Sequence, residues 1–272
     1  MALEAPEHPM RALASVCRPA CEEHVAPVLA IAVRSMKTRH PVEIALLALI
    51  AVALAAGVVG ARLDLAWYER RYAAENGPIE LGTAIAFLVA AGAALSRLRP
   101  RDGSLRPLHA LTWAGLAALG LFAAGEELSW GQHLFRWSSS EFFVAHNAQR
   151  ETNLHNLVVS GVKVNKLVFS QLLSVCAALY LVVLPLLHRA RPRFARLVDG
   201  AGVPVPKALH AVALATAFVA IALVPSRLRH ELLELAAAVV FLLVSLFPRN
   251  AAAIRPAGGG EPAAQRAPGA VR

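Results

Sequence analysis

Four short polar segments hold the residues whose types and spacing could do chemistry. They combine carboxylates, imidazoles and amides, and each adjoins a long apolar run: residues 75–80, 125–133, 147–156 and 229–234. A charge beside a membrane-sized apolar run is costly unless it is paired, solvated or bound to an ion, so such clusters are candidate sites. Carboxylate and imidazole groups together suit a divalent metal or general acid–base catalysis.

The segment GEELSWGQH, at residues 125–133, has two adjacent carboxylates at the end of an apolar run. The dipole of a helix disfavours anions at its C-terminus, so Glu126 and Glu127 need a cation, a proton or a metal nearby. If the helix continues beyond them, Glu126, Trp130 and His133 share one face.

The segment NAQRETNLHN, at residues 147–156, places Glu151 four residues before His155. On a helix this pair points in one direction, so it could bind one metal, or Glu151 could orient His155 as a general base. The same density of amides is also typical of a hydrogen-bonded loop plug with no chemistry.

Glu80 and Glu234 lie near the starts of two further apolar runs, where a helix dipole favours an anion. The sequence around Glu234 reads HExxE, so the zinc-protease motif HExxH lacks its last ligand.

We predict Glu127, Glu151 and His155 as catalytic candidates. The predicted metal ligands are Glu126, Glu127, Glu151 and His155, with Glu80 and Glu234 as possible contributors. Because this cluster has no cysteine, it suits Zn, Mg, Mn or Ca.

The elements that must position these residues are membrane helices. Of the 272 residues, 57% are hydrophobic and 17% charged, whereas soluble domains average about 45–50% and about 25%. Six apolar runs are long enough, or nearly so, to cross a bilayer. They are Val42–Ala61, Ile79–Leu95, Leu108–Ala124, Leu167–Leu187, Ala208–Val224 and Leu232–Phe247. The predicted fold is therefore an all-α polytopic transmembrane bundle of about six spans.

Basic residues indicate the orientation of this bundle. With six spans, the N-terminal arm, every second loop and the C-terminal tail lie on the same side of the membrane. These segments carry 14 Lys and Arg, and the loops on the other side carry nine. The positive-inside rule then predicts that both termini are cytoplasmic, and it places the polar loop 125–156 on the outer face. The net charge of +9 reflects these loops, so we expect no nucleic-acid partner.

The domain organisation follows from the same runs. Residues 1–40 form a largely disordered cytoplasmic arm, 41–248 the transmembrane domain, and 249–272 a disordered cytoplasmic tail rich in Ala, Pro and Gly. Met36, followed by Lys37, is an alternative start to Met1.

The two central motifs resemble those of a group of uncharacterised bacterial multi-pass membrane proteins. In that group a GEExSWGQ…NxQxExNLHN pair follows an acidic ENG- or EDG-like start of a span, as residues 75–80 do here. The resemblance covers roughly residues 64–157. It implies a location in the bacterial inner membrane and no particular activity, because the group has none established. Such proteins carry Arg where this chain has His133.

A second resemblance is to alkaline ceramidase-like membrane hydrolases, which use a zinc site of His, Asp and Ser within a helical bundle. Ser129 and His133 fit their SxxxH fragment. The chain has no HxxxH pair, so their metal site is not completed.

The sequence is consistent with two functions. In the first, the Glu/His/Asn cluster is a structural lock or docking site of a non-enzymatic membrane protein. In the second, the cluster binds a divalent metal and the protein is a membrane hydrolase or lipid-modifying enzyme acting on a lipid or lipid-linked substrate. Membrane lipid is a partner in both.

Overall fold

A computed structural model describes residues 40–99, 106–159, 162–163 and 171–254. The predicted arm, apart from His40, lies outside these residues. So do the tail beyond Ile254 and the first residues of the fourth apolar run. Residues 1–46 and 47–272 form two compact units. Of the first unit, only the start of one helix is described, and the site belongs to the second.

The described chain is helical except for one pair of two-residue strands. Strand β1 (Val158–Val159) pairs antiparallel with β2 (Val162–Lys163). The helices are α1 Pro41–Leu63, α2 Leu65–Trp67, α3 Pro78–Ser96, α4 Pro107–Glu127, α5 Gln132–Phe135, α6 Glu141–His146, α7 Leu173–Ala190, α8 Pro192–Gly200, α9 Ala208–Ile221 and α10 His230–Leu246. A π-helical turn, Tyr68–Tyr72, follows α2, and another, Leu179–Val183, lies within α7.

Four helices are long and apolar enough to cross a membrane. They are α1, α3, α4 and α7, with 23, 19, 21 and 18 residues. A bilayer core about 30 Å thick needs about 20 helical residues, so these lengths fit. Large apolar side chains on their surfaces, such as Val52, Leu111 and Leu173, are exposed. At this level the prediction of an all-α membrane protein is confirmed.

The fifth and sixth predicted spans form shorter helices. Helix α9 has 14 residues and α10 has 17. Helix α10 is nevertheless the most buried element, because ten of its residues, including Leu235, Val239 and Leu243, lie in the core.

Small residues let the central helices pack closely. Helix α3 packs against α4 and against α10, and α9 packs against α10. The buried residues of α3 are mostly alanines, among them Ala84, Ala90 and Ala94. Gly120 of α4 faces them so closely that a Cβ there would lie 3.0 Å from the Phe87 carbonyl oxygen. Close approach of this kind is typical of membrane helices, where van der Waals packing replaces the hydrophobic effect.

Helix starts follow the sequence signals. Pro78 and Pro107 stand in the first turns of α3 and α4. Proline suits this position because its missing N–H has no partner there and its φ is already helical. Glu80 lies in the first turn of α3, as predicted, and one of its oxygens accepts the Asn76 N–H at 2.5 Å. These devices fix where the two central helices begin.

The structure describes the residues that follow α10 as far as Ile254. Asn250 and Ile254 are buried, and Ile254 packs in a cluster with Ala94, Trp113 and Ala117. The composition assigned 249–254 to a disordered tail. The structure instead shows turns, because Asn250 bonds several backbone groups and Ile254 supplies an apolar anchor.

Candidate functional site

Helix α4 ends at Glu127, and the chain then turns sharply with left-handed backbone. Ser129, Trp130 and Gly131 have φ of 44°, 55° and 80°. The helix does not continue beyond Glu127, so the helical spacing that would place Glu126, Trp130 and His133 on one face does not apply. Left-handed backbone costs about 1–2 kcal/mol for a residue with a Cβ. Side-chain hydrogen bonds of Ser129 and Trp130 hold the turn against this cost.

Trp130 folds back over the end of α4. Its indole Nε1–H donates to Glu126 Oε1 at 2.9 Å. A Cβ at Gly125 would lie 3.0 Å from the indole ring, so a larger residue there would have to push the ring away by a few tenths of an ångström. The ring also meets Phe122 edge to face. Gly125, Glu126 and Trp130 thus act together to end the helix.

Glu126 joins this turn to the second polar segment. Its Oε2 accepts the backbone N–H groups of Leu154 at 2.6 Å and His155 at 3.1 Å. The His155 Nδ1 lies 3.6 Å from the same oxygen. Glu126 is only 3% exposed, so its charge is balanced by these donors and not by water.

Glu151 forms a second buried centre. Its Oε2 accepts from Ser129 Oγ at 2.5 Å and from Asn153 Nδ2 at 3.2 Å. Its Oε1 lies 2.6 Å from His133 Nε2. The imidazole partner of Glu151 is therefore His133, and the predicted pairing of Glu151 with His155 is wrong.

The reason lies in the backbone of residues 147–157. This segment forms turns, not a helix, so residues four apart do not share a face. Asn147 and Leu157 form an isolated antiparallel bridge that closes the loop. Arg150 has a φ of 62°, which turns the chain just before Glu151.

The amides hold this loop together from inside. Asn147 Nδ2 donates to both the backbone and the side-chain oxygen of Asn153, each at 2.9 Å. Asn147 Oδ1 accepts from the backbone N–H of Gln149 at 2.8 Å. Asn153 Nδ2 also donates to Ser129 Oγ at 2.9 Å. Asn147 and Asn153 are buried. Their hydrogen bonds fit the alternative from the sequence in which the amides form a hydrogen-bonded loop plug.

Gln132 and Gln149 make further hydrogen bonds around this loop. Gln132 Oε1 accepts from Ser139 Oγ and from the Thr152 N–H, both at 2.9 Å. Gln149 donates to Glu75, which ties the loop to the start of α3. We call the interconnected set the Glu126–Glu151 network. It consists of Glu126, Ser129, Trp130, Gln132, His133, Asn147, Glu151, Asn153 and His155.

A separate acidic group lies beside this network. The main electrostatic neighbours of Glu127 are Glu234, Glu231, Glu80 and Glu126. In the described part of the chain, Glu127 has no hydrogen-bond partner. Glu80 and Glu234, the possible contributors named from the sequence, are among these neighbours, but the three do not converge on a common partner.

The four predicted metal ligands do not form one ligand set. Among the residues that the structure describes, no group of three or more His, Cys, Asp and Glu is arranged to hold a metal ion. Glu126 is engaged with the 154–155 backbone, Glu151 with His133, and Glu127 faces other carboxylates. The predicted convergence is therefore corrected, because hydrogen bonds inside the loop turn the carboxylates apart.

His155, a member of the network, is also influenced by the charge of the acidic group. Burial lowers the pKa of His155, but the hydrogen bond with Glu126 and the charge of Glu234 raise it, and the net direction is upward. The imidazolium is thus favoured by the carboxylates around it.

Comparisons with family models, curated proteins and solved structures give no match for this chain. The roles of the two motifs therefore follow from geometry. In GEELSWGQ, every polar side chain except Glu127 makes a hydrogen bond that shapes the loop. Sequence reasoning missed Ser129 and Asn153 as central members, and it gave His133 little weight. Their only local signal is their position inside the two motifs.

Proposed function

We propose that this chain is a multi-pass membrane protein whose Glu126–Glu151 network is a structural lock. The lock holds the loop between α4 and α7 in one conformation at the outer face of a bacterial inner membrane. In this proposal the chain has six spans and both termini are cytoplasmic. The two short helices α9 and α10 complete the spans with their flanking residues. The resemblance of residues 125–132 and 147–156 to bacterial membrane proteins supports the localisation.

The observation that carries the proposal is the environment of Glu126. Its carboxylate is buried and accepts hydrogen bonds from Trp130, on one side of the loop, and from the 154–155 backbone on the other. A carboxylate so engaged has little capacity left for a metal or for proton transfer. Its removal would leave several partly buried donors without this acceptor, which is the property of a structural residue.

A locked loop also presents a fixed surface. Leu134 and Phe135 of α5 and Phe142 of α6 are exposed beside Trp137. Aromatic side chains at the end of a membrane helix suit the lipid interface. The proposed docking role is therefore to hold these apolar groups at the membrane surface, with membrane lipid as the partner.

The alternative, a metal-dependent membrane hydrolase or lipid-modifying enzyme, has one observation in its favour. Glu127 and Glu234 have no hydrogen-bond partner in the described residues, and each is close enough to other carboxylates to feel their charge. Burying several carboxylates together is costly unless a proton or cation is shared.

Hydrogen exchange read by mass spectrometry distinguishes the two functions. The lock predicts that Glu151→Ala raises exchange in residues 147–157 while α3 and α10 stay protected, and that a chelator has no effect on the wild type. The matched control is Glu141→Ala, because Glu141 is exposed on α6. Faster exchange of 147–157 in the wild type after chelation would contradict the lock and favour the enzyme.

A further inference from the structure

The opposite end of the helices from the Glu126–Glu151 network carries a basic surface. Helix α8 follows α7 after a single residue, Arg191. Arg189, Arg191, Arg193 and Arg196 are all exposed. None of the four forms a salt bridge with any residue that the structure describes.

Helix α8 has two distinct faces. Val198 is buried and Phe194, one turn earlier, is half-buried, so this face packs on the protein. Arg193, Arg196 and Leu197 point away from it, and Leu197 is 65% exposed. An apolar side chain surrounded by arginines is the pattern of a helix that lies in a membrane interface.

The one acidic residue of α8 is turned inward. Asp199 Oδ1 accepts from Asn250 Nδ2 at 2.6 Å and lies 3.0 Å from His188 Nε2. These contacts fix α8 against the end of α7 and against the residues after α10. They also engage the one carboxylate that α8 itself contains. The outward face therefore keeps an uncompensated positive charge.

The position of this surface matches the depth of lipid headgroups. On α7 the exposed apolar residues Val182, Val183, Leu186 and Leu187 run directly up to Arg189. If they contact acyl chains, the arginines emerge where the phosphate groups of the bilayer lie. Guanidinium groups bind phosphate oxygens in pairs, which an ammonium cannot do.

We propose that Arg189, Arg191, Arg193 and Arg196 form a binding surface for anionic phospholipid headgroups, with Leu197 inserted among the lipids. This surface is independent of the Glu126–Glu151 network and of its proposed role. Charge complementarity and continuity with the lipid-facing side of α7 select the bilayer as the occupant.

The test measures binding of the phospholipid POPG to the delipidated full-length protein in detergent by native mass spectrometry, with zwitterionic POPC as the comparison lipid. The test variant changes all four arginines to glutamine. The matched control changes four exposed arginines at the other end of the helices, Arg70, Arg71, Arg227 and Arg229, in the same way. Unfolding temperatures of both variants verify that they are folded.

We expect the test variant to lose about tenfold or more in POPG affinity, and POPC binding to stay unchanged. We expect the control variant to bind POPG as the wild type does, and wild-type binding to weaken between about 50 mM and about 500 mM NaCl. If the four-site variant does not fold, the pair Arg193→Gln and Arg196→Gln, both on the outward face of α8, must still show a loss of POPG affinity.

Three results would overturn the proposal. The test variant could bind POPG like the wild type, or the control variant could lose as much affinity as the test variant. An oligonucleotide could bind the wild type through the same four arginines while POPG does not, which would assign the surface to a soluble polyanion.

Discussion

The two ends of the helical bundle use charged residues in opposite ways. At one end, Glu126 and Glu151 are buried and each accepts several hydrogen bonds from a loop. At the other, the arginines of 189–196 face outward without salt-bridge partners among the described residues, while the partly buried Asp199 bonds the buried Asn250. At the first end the charged side chains are buried, and at the second they are exposed on the surface.

The two ends differ because their polar residues hold different chain segments in place. The loop after α4 has three successive left-handed residues and few apolar anchors, so ionised acceptors must hold it. The chain after α8 is short and contains Pro204 and Pro206, so one aspartate and one amide suffice. We therefore expect the largest losses of stability at the first end.

The largest expected effect is that of Glu126→Ala. This variant leaves the Trp130 Nε1–H and the N–H groups of Leu154 and His155 without their acceptor in a buried site. We expect a loss of about 3 kcal/mol in the free energy of unfolding. Chemical unfolding in detergent measures it, with Glu141→Ala as the exposed control. A loss equal to that of the control would show that the network does not stabilise the fold.

A smaller loss is expected from Asn250→Ala at the other end. Asn250 Oδ1 accepts the Val205 N–H at 2.9 Å, and its Nδ2 donates to Asp199 and to the Val203 carbonyl. Losing these bonds should cost about 2 kcal/mol. Asp199→Ala completes a double-mutant cycle, in which we expect the two losses to be non-additive. Additive losses would mean that the two residues act separately.

Ser129→Ala should cost about 1 kcal/mol. The Ser129 hydroxyl links Glu151 and Asn153, but both retain other partners, so no buried charge is left alone. The matched control is Ser138→Ala, an exposed serine in the same loop. A thermal unfolding scan of the two variants compares them. A loss for Ser129→Ala larger than that for Glu126→Ala would reverse the order proposed here.

The smallest expected effect is a pH dependence from His155. Its pKa is raised in the folded protein above the ordinary value of 6.5, chiefly by Glu126 and Glu234, against the lowering effect of burial. Its contribution to stability is therefore complete below about pH 6.5 and is lost as the pH rises through the raised value. His155→Gln should flatten the wild-type decline of unfolding temperature above about pH 6.5.

His146→Gln is the control for that measurement, because His146 is exposed on α6. We expect this variant to keep the wild-type pH dependence. A decline in His155→Gln as steep as that in the wild type would show that the His155–Glu126 contact does not contribute.

Local patterns predicted the helices well. Pro78 and Pro107 mark the starts of α3 and α4, and the apolar runs coincide with the four long helices. These features are readable because they depend on neighbouring residues alone. The two shorter helices, α9 and α10, also lie on predicted apolar runs. The burial of α10 depends on its contacts with α3 and α9, which a sequence window does not contain.

The sequence named three members of the Glu126–Glu151 network but not how they pair, and it missed Ser129 and Asn153. The motifs named Glu126, Glu151 and His155, yet the spacing rule paired Glu151 with His155 when His133 is its partner. The rule that residues four apart share a face holds only on a helix. The left-handed turn at Ser129 and Trp130 is marked in the sequence only by Gly131. The contact of Asp199 with Asn250 joins residues 51 apart in the chain, so no local pattern contains it.

The most direct test of the central claim is the metal content of the purified full-length protein, measured by elemental mass spectrometry. The Glu127→Ala and His155→Ala variants are measured beside the wild type, with Glu141→Ala as the control. We predict no stoichiometric divalent metal in any of the four proteins, and an unfolding temperature that a chelator does not change. Near one metal per chain, lost in both site variants and kept in the control, would contradict the lock and make the cluster a metal centre.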